Sequence, residues 1–412
     1  MSSKPVRTIV GIWLAWAAIL IGFQTVADAR FEPKRPDHVL SWTETETGRT
    51  SQDDQPYLVE PFMNAQVSWD SEFYLSIAAV GYDDPLVRTA PPSWRPEVKH
   101  EPVSLNYAFF PFYPYLMRAV AFPLRLAGMA PIRAATLAGV LISLLGTLGA
   151  MLALYDLTRE ELEEAGGIRA AFYLIIFPSG FFLAQVYTEG LFLGLAFGSL
   201  ALLRRGRWVW AALLAACATW TRAVGGALII PLLLAWAQEA DWRKFSFRPF
   251  PWRLLGKGLL ALAPLGAYVL WRALLGEEFR FVEETFFSRG VFLFERSFRE
   301  WMGALSALGE GNSQTSVYYG IEFGAMLLAL VAIMLTAQRY PGLALFGLAV
   351  FIISLASGVA QGMHRYVLAA PSIFILLSRW GRSEAFDRAW TGASVLLMGL
   401  LATLFTFDMW VG

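Results

Sequence analysis

Residues 131–155 read PIRAATLAGVLISLLGTLGAMLALY, and this run decides the fold class. Arg133 is its only charge, and the rest is mainly Leu, Ala, Gly and Ile with a few hydroxyls. A helix rising 1.5 Å per residue needs roughly 18 to 20 apolar residues to cross a hydrocarbon core about 30 Å thick. The run is therefore long enough to span, and residues 8–26 and 318–337 read the same way. The whole chain of 412 residues is 56% hydrophobic and 16% charged, too apolar for a soluble domain and too long for a simple anchor. Barrel strands would alternate polar and apolar residues, and these runs do not. The expectation is an all-α polytopic membrane protein, one integral membrane domain over residues 1–412.

Further spans follow outward from this one, at about 168–183, 186–203, 208–222, 223–237, 253–275, 342–360, 366–379 and 389–410, giving a bundle of about 10–12 transmembrane helices. Lys4 and Arg7 precede the first apolar run as in a signal peptide, but no small-residue cleavage site follows, so the run reads as a retained first helix. With those cations inside, residues 28–128 form a first extracytoplasmic loop, rich in proline, and residues 276–316 a second. Residues 108–128, with two arginines and three prolines, read as an interfacial or re-entrant helix; a true span there would reverse the sidedness of everything after it. The interfacial reading puts Arg159 and Arg169, then Arg204, Arg205 and Arg207, then Arg243, Lys244, Arg248 and Arg253, then Arg379, Arg382 and Arg388 on the inner face, as the positive-inside rule requires.

Net charge is zero, so no global field recruits nucleic acid. Cys217 is the sole cysteine and lies in an apolar run, so it forms no internal disulfide and reads as a small core residue. Three scattered histidines add no metal constellation, and no glycine loop has a nucleotide-binding pattern. No cofactor is expected, and an enzyme built this way needs a donor already activated in the lipid.

The polar residues away from the inner loops converge on the outer side: Asp70 and Glu72, Tyr187-Thr188-Glu189, Thr221-Arg222, and the run from Gln361 through His364, Arg365 and Tyr366. Charges at membrane depth cost about 2.5 kcal/mol or more on insertion scales, so they line cavities or pair with one another. Arg222, amid some thirty nearly uninterrupted apolar residues, suits an anion such as a lipid phosphate; the plainer alternative is a structural pair with Glu189. His364 and Arg365 can hold a phosphate in the same way, or serve as an ordinary interfacial anchor. In the run Trp69-Asp70 to Tyr82, Phe73, Tyr74, Ile77 and Ala78 recur at helical spacing, which predicts an interfacial helix with Asp70 at its N-cap or in its first turn. A partly desolvated Asp70 reachable from outside could take a proton from an attacking hydroxyl, while Glu72 points elsewhere and reads as solvated or paired.

At these residues the chain resembles the PIG-V-like mannosyltransferases, which add the second mannose to glycosylphosphatidylinositol and belong to the lipid-dependent GT-C glycosyltransferases. The resemblance rests on Trp69-Asp70 with Phe73-Tyr74-Leu75, Ile77-Ala78 and Gly81-Tyr82; on Phe109-Phe110-Pro111 with Tyr113-Pro114; on Phe177-Pro178-Ser179 through Tyr187-Thr188-Glu189 to Phe192; and on Thr221-Arg222 and Arg365-Tyr366 before Pro371. It implies a GT-C-like bundle and transfer of a sugar, mannose by preference, from a polyprenyl-phosphate donor to a hydroxyl on the extracytoplasmic face, with inversion. It further implies Asp70 as the base, Arg222, His364 and Arg365 at the donor phosphate, Glu189 at the sugar or the acceptor, and Tyr187 at the donor, supported by Trp69, Glu72 and Tyr113. Between the two first-loop motifs stand about twenty-five residues, Asp83 to Tyr107, including Lys99-His100-Glu101, which bear on the acceptor side. The length and Arg-rich composition suit a bacterial plasma membrane, where the acceptor would be a cell-envelope glycan, glycolipid or protein. The competing reading is a transporter or flippase for a lipid-linked sugar, since intramembrane charges also mark substrate pathways; a purely structural scaffold leaves Arg222 and Asp70 without a role.

Overall fold

A computed structural model describes residues 3–31, 56–87, 89–90, 103–239, 252–310 and 312–412. Lys99-His100-Glu101 and the inner cations Arg243, Lys244 and Arg248 lie outside the described residues. The described chain is helical almost throughout, with one two-residue antiparallel pairing of β1 (Thr89–Ala90) and β2 (Val103–Ser104). The helices are α1 (Ser3–Arg30), α2 (Ser71–Ala79), α3 (Phe112–Leu126), α4 (Pro131–Ile176), α5 (Glu189–Arg204), α6 (Trp208–Thr221), α7 (Ile229–Glu239), α8 (Trp252–Ala261), α9 (Ala263–Thr285), α10 (Phe294–Glu310), α11 (Ser313–Thr336), α12 (Pro341–Leu355), α13 (Met363–Tyr366), α14 (Pro371–Trp380) and α15 (Glu384–Thr406). With leucines such as Leu145, Leu327 and Leu396 exposed on long apolar helices, this is an all-α polytopic membrane protein.

The expected spans differ in how they resolve. Among the described residues, α1, α4, α11 and α15 are each long and apolar enough to cross a membrane alone, and α8 with the first part of α9, bent by 49°, makes a fifth. Residues 168–183 do not form one helix: α4 ends at Ile176 and a 3-10 turn covers Gly180–Ala184. Residues 366–379 break before Pro371, whose ring pre-sets the first turn of α14. Both segments are almost wholly buried, so their apolar character reflects protein neighbours rather than lipid.

The long helix α4 is the spine. It has Pro131 in its first turn and breaks at Glu163, where φ is 63°. Its first arm packs against α5 through glycines: a Cβ on Gly146 would lie 2.5 Å from the carbonyl oxygen of Gly190, and one on Gly194 2.5 Å from that of Gly146. Small residues let two apolar helices approach at backbone contact, which drives association where lipid leaves no hydrophobic gain. This packing fixes the start of α5, where Glu189 stands.

Three buried amides tie the outer segment to the bundle. Gln24 of α1 donates to Ala65 O at 2.9 Å, while Gln66 and Gln185 donate to Gln24 Oε1 at 3.2 and 3.1 Å. Arg118 of α3 closes the far end of α2, donating to Ile77 O at 2.7 Å and Ala78 O at 2.8 Å, which supplies its otherwise orphaned carbonyls. At the opposite end of the bundle, Arg205 pairs with Asp156 at 2.6 Å, Arg204 with Glu160, and Arg339 and Arg379 with Glu161. Several of the cations assigned to the inner face thus gather at one end.

Candidate active site

Asp70 owes its position to the residue before it. Trp69 holds φ at 54°, an uncommon left-handed conformation for a bulky residue, and its ring meets Trp410 edge-on with centroids 4.8 Å apart while Nε1 donates to Met409 O at 3.3 Å. The turn delivers Asp70 to the N-cap of α2, as the spacing predicts, but its carboxylate makes no cap bond. The backbone N–H of Asp70 donates instead to the Tyr187 hydroxyl at 3.2 Å, and the carboxylate, about one-third exposed at 34%, faces Arg365 Nη1 at 3.8 Å. Burial raises the Asp70 pKa above the ordinary carboxylate value, and the positive charges of Arg365 and Arg289 oppose that rise.

Glu189, the first residue of α5 and almost fully buried, takes two guanidiniums: Arg222, and Arg365 through Nε at 3.2 Å. Arg222 also donates to Thr188 Oγ1 at 3.1 Å. It stands where α6 stops and the chain turns extended, with φ at −153°, so the break in the apolar run places a cation at the bundle's polar end. Arg365 sits in the single turn of α13, reached through Gly362 at φ 80°, a conformation glycine adopts freely. Three guanidiniums surround one ring, Tyr366, with Arg222 at 5.0 Å, Arg365 at 5.2 Å and Arg289 at 5.6 Å from its centroid.

Asp70, Thr188, Arg222, Arg289, Arg365 and Tyr366 border a cavity of about 550 Å³, and Glu189, expected at the sugar or acceptor, sits behind the two arginines and is not part of that lining. Its polar lining includes the carboxylates of Asp70, Glu72, Glu283 and Glu300 and the guanidiniums of Arg222, Arg289, Arg296 and Arg365, with Tyr366 among them. Phe73 and Phe109, stacked at 4.6 Å, meet Phe287 at 5.8 and 5.5 Å to make an apolar wall shared by both outer segments. Glu72 lines the same cavity and accepts from Tyr57 N at 3.3 Å, so it stands beside Asp70 in the cavity wall rather than elsewhere. Among the described residues no group of three or more His, Cys, Asp and Glu could hold a metal ion.

The structure does not bring every expected site residue to the cavity. His364 is almost fully buried behind it, with Nδ1 3.2 Å from Glu322, its carbonyl accepting from Ser179 Oγ at 2.6 Å and its ring against Gly412. One turn of helix sends adjacent side chains in different directions, so Arg365 faces the cavity and His364 the packing. Tyr187 and Tyr113 lie beneath the site, the first under Asp70, the second donating to Gly139 O at 3.1 Å and meeting the Tyr74 ring at 5.2 Å.

Two contributors escape the sequence reading. Glu322, on α11 and wholly buried, accepts from Gly362 N at 2.6 Å, His364 N at 2.9 Å and the Tyr318 hydroxyl at 2.6 Å. It satisfies the open N–H groups of α13 and so fixes the turn that carries Arg365. Its signal was a lone carboxylate inside the apolar run 318–337. Arg289 is the other, hidden among the many charges of the second outer segment.

Fold and site together define a polytopic membrane protein with a charged cavity at one end of its bundle. Among known proteins, the chain is similar to GPI alpha-1,6-mannosyltransferase 2 of Mus musculus, with 33% identity over 171 residues, covering 41% of this chain and 31% of the relative. The same protein of Cricetulus griseus is 33% identical over 174 residues, with the same coverage. The match thus spans under a third of the length of these curated relatives. No protein-family model matches. Among solved structures, ArnT from Cupriavidus metallidurans bound to undecaprenyl phosphate superposes with a TM-score of 0.47 at 15% identity, covering 85% of this chain and 75% of that one. The apo oligosaccharyltransferase of Archaeoglobus fulgidus gives 0.46 at 15% identity, covering 98% of this chain and 56% of that one.

Proposed function

We propose that this protein is a membrane glycosyltransferase of the GT-C kind, a mannosyltransferase by its relatives' names, moving a sugar from a polyprenyl-phosphate donor to a hydroxyl acceptor on the extracytoplasmic face. The observation that carries the reading is the Asp70 carboxylate, unengaged in helix capping and open to a cavity that also presents Arg222, Arg289 and Arg365. In the reaction, the acceptor O–H gives its proton to Asp70 as the oxygen bonds to the anomeric carbon. The bond from that carbon to the phosphate oxygen breaks, and its electron pair leaves with the polyprenyl phosphate. A single displacement of this kind inverts the anomeric centre. Arg222 and Arg365 serve the phosphate as it leaves in the transfer step, Glu189 orients both of them, and the Phe73–Phe109–Phe287 wall suits the apolar face of a sugar or the start of a prenyl chain. His364 supports this site from behind rather than touching the donor. The acceptor side is the wall shared by the two outer segments, and a bacterial plasma membrane with a cell-envelope acceptor fits the composition.

The test is sugar transfer by purified protein in lipid, from radiolabelled polyprenyl-phosphate mannose to a membrane extract. Wild type is expected to transfer and Asp70→Asn to lose at least about a hundredfold in rate, the usual scale for a general base, with folding and donor binding retained. Full activity in Asp70→Asn removes the base from the mechanism. Labelled lipid crossing the bilayer without transfer favours a flippase.

A further inference from the structure

The three guanidiniums around Tyr366 are not equally paired. Glu189 is shared by Arg222 and Arg365, and Asp70 faces Arg365 at 3.8 Å, so two cations there meet two carboxylates. Arg289 stacks on the same ring, and among the described residues no carboxylate forms an ion pair with it. Its position is built by the backbone: Arg289 N donates to Glu283 O at 2.9 Å, Gly290 N to Ser357 O at 2.9 Å and Leu293 N to Ala356 O at 2.8 Å. Ser288 and Phe292 on either side hold φ at 57° and 59°. Non-glycine residues keep such angles only where their surroundings enforce them. Glu283, which lines the same cavity, is pushed up to about 7 by burial, so near neutrality it is only partly charged. Arg296 also lines the cavity, but its side chain lies against Gly358 rather than on the Tyr366 ring.

We propose that Arg289 is the residue that captures the donor's singly charged phosphodiester, while Arg222 and Arg365 stay neutralised by Glu189 and Asp70 until the transfer step itself frees Arg365. This rests on the glycosyltransfer reading above. Before reaction Arg222 and Arg365 each stand within ion-pair distance of a carboxylate and Arg289 does not, so Arg289 is the guanidinium of the three most available to the single negative charge on the phosphodiester. When the acceptor's proton reaches Asp70, that carboxylate becomes neutral. In the same step the anomeric C–O bond breaks and the phosphate, now a monoester, gains a second negative charge. Arg365 loses its Asp70 partner just as that charge develops, so a second guanidinium becomes available as the leaving group gains its second negative charge. Arg289 therefore acts in the ground state and Arg365 in the transition state, which separates their kinetic signatures.

The full chain in nanodiscs of phosphatidylcholine, which presents no net anionic headgroup, provides the test. Binding of farnesyl phosphate is measured by calorimetry with farnesol as the uncharged control, and steady-state transfer is measured from polyprenyl-phosphate mannose. Arg289→Gln is expected to weaken farnesyl phosphate binding and raise the donor KM by about tenfold or more, the scale of a lost charged hydrogen bond, with kcat nearly unchanged. Arg289→Lys recovers most of the loss, showing that the segment still folds. Arg365→Gln has the opposite pattern, a fall in kcat that exceeds any rise in KM. Equal binding losses in Arg289→Gln and Arg296→Gln, or a kcat effect in place of a KM effect for Arg289→Gln, overturn the assignment. A wild-type protein that transfers nothing and binds farnesyl phosphate no better than farnesol overturns the glycosyltransfer reading itself, and this inference with it.

Discussion

Asp70 must be ionised to accept a proton, and the same burial that makes it a stronger base makes ionisation harder. Burial sets the direction, raising its pKa; Arg365, Arg289 and Arg222 oppose the rise, and Glu189 adds to it. A carboxylate held above the ordinary value of about 4 keeps its proton to higher pH, so activity should fall on acidification sooner than for an exposed aspartate. The acid limb of kcat/KM against pH should therefore lie above that value. Removing the cation that most opposes burial, in Arg365→Gln, should push the limb higher still. A limb that stays put or moves down in that variant would show that the titrating group is not Asp70. The residue-level site was partly legible: the aromatic spacing after Trp69 pointed to a helix beginning at Asp70, because amphipathic period is a local property. What stayed hidden was direction. No periodicity reaches across one turn of α13 to say that Arg365 faces the cavity and His364 the core, and the charges of the second outer segment carry no pattern that marks Arg289.

Among the elements, the contact of α4 with α5 has the most consequence for the site. It places Glu189, and through Glu189 the two arginines it holds, by backbone contact rather than by adjustable side chains. A methyl group on Gly190 would collide with the carbonyl of Ser143 and crowd Thr147 Oγ1 at 2.9 Å. Gly190→Ala should cost about 1–3 kcal/mol, the range for forcing extra volume into a packed interior, and should reduce transfer as Glu189 shifts. Thermal unfolding in detergent checks the first effect; an unchanged midpoint would mean the helices separate without penalty. The count of spans was legible only coarsely, for a related reason. Hydropathy cannot tell a residue facing lipid from one facing another helix, so the buried segments 168–183 and 366–379 read as spans although the chain breaks within each. The same blindness passed over Glu322, whose position inside an apolar run makes sense only once the N–H groups of α13 are seen against it.

At the scale of the molecule, the charges segregate. Asp70, Arg222 and Arg365 border the cavity at one end with Glu189 buried against the two arginines, while Arg204, Arg205, Arg339 and Arg379 meet Asp156, Glu160 and Glu161 at the other. Helix α5 connects the two, a 16-residue helix with Glu189 as its first residue and Arg204 as its last, about 22 Å apart along the axis. The extracytoplasmic cavity proposed above requires the cation-rich end on the cytoplasmic side, which is the sidedness the positive-inside rule favours. Cys217 is the only cysteine, so Cys217→Ser leaves a background in which single cysteines report sidedness without interference. Val80, exposed at the end of α2, and Arg207, exposed just beyond α5, are suitable sites away from the arginine ring. In intact cells a membrane-impermeant maleimide should label Val80→Cys and reach Arg207→Cys only after permeabilisation. Labelling of both in intact cells would deny that the two ends lie on opposite sides. The reversed pattern would turn the cavity toward the cytoplasm and remove the extracytoplasmic placement of the proposed transfer, while leaving the geometry of Asp70 and its arginines intact.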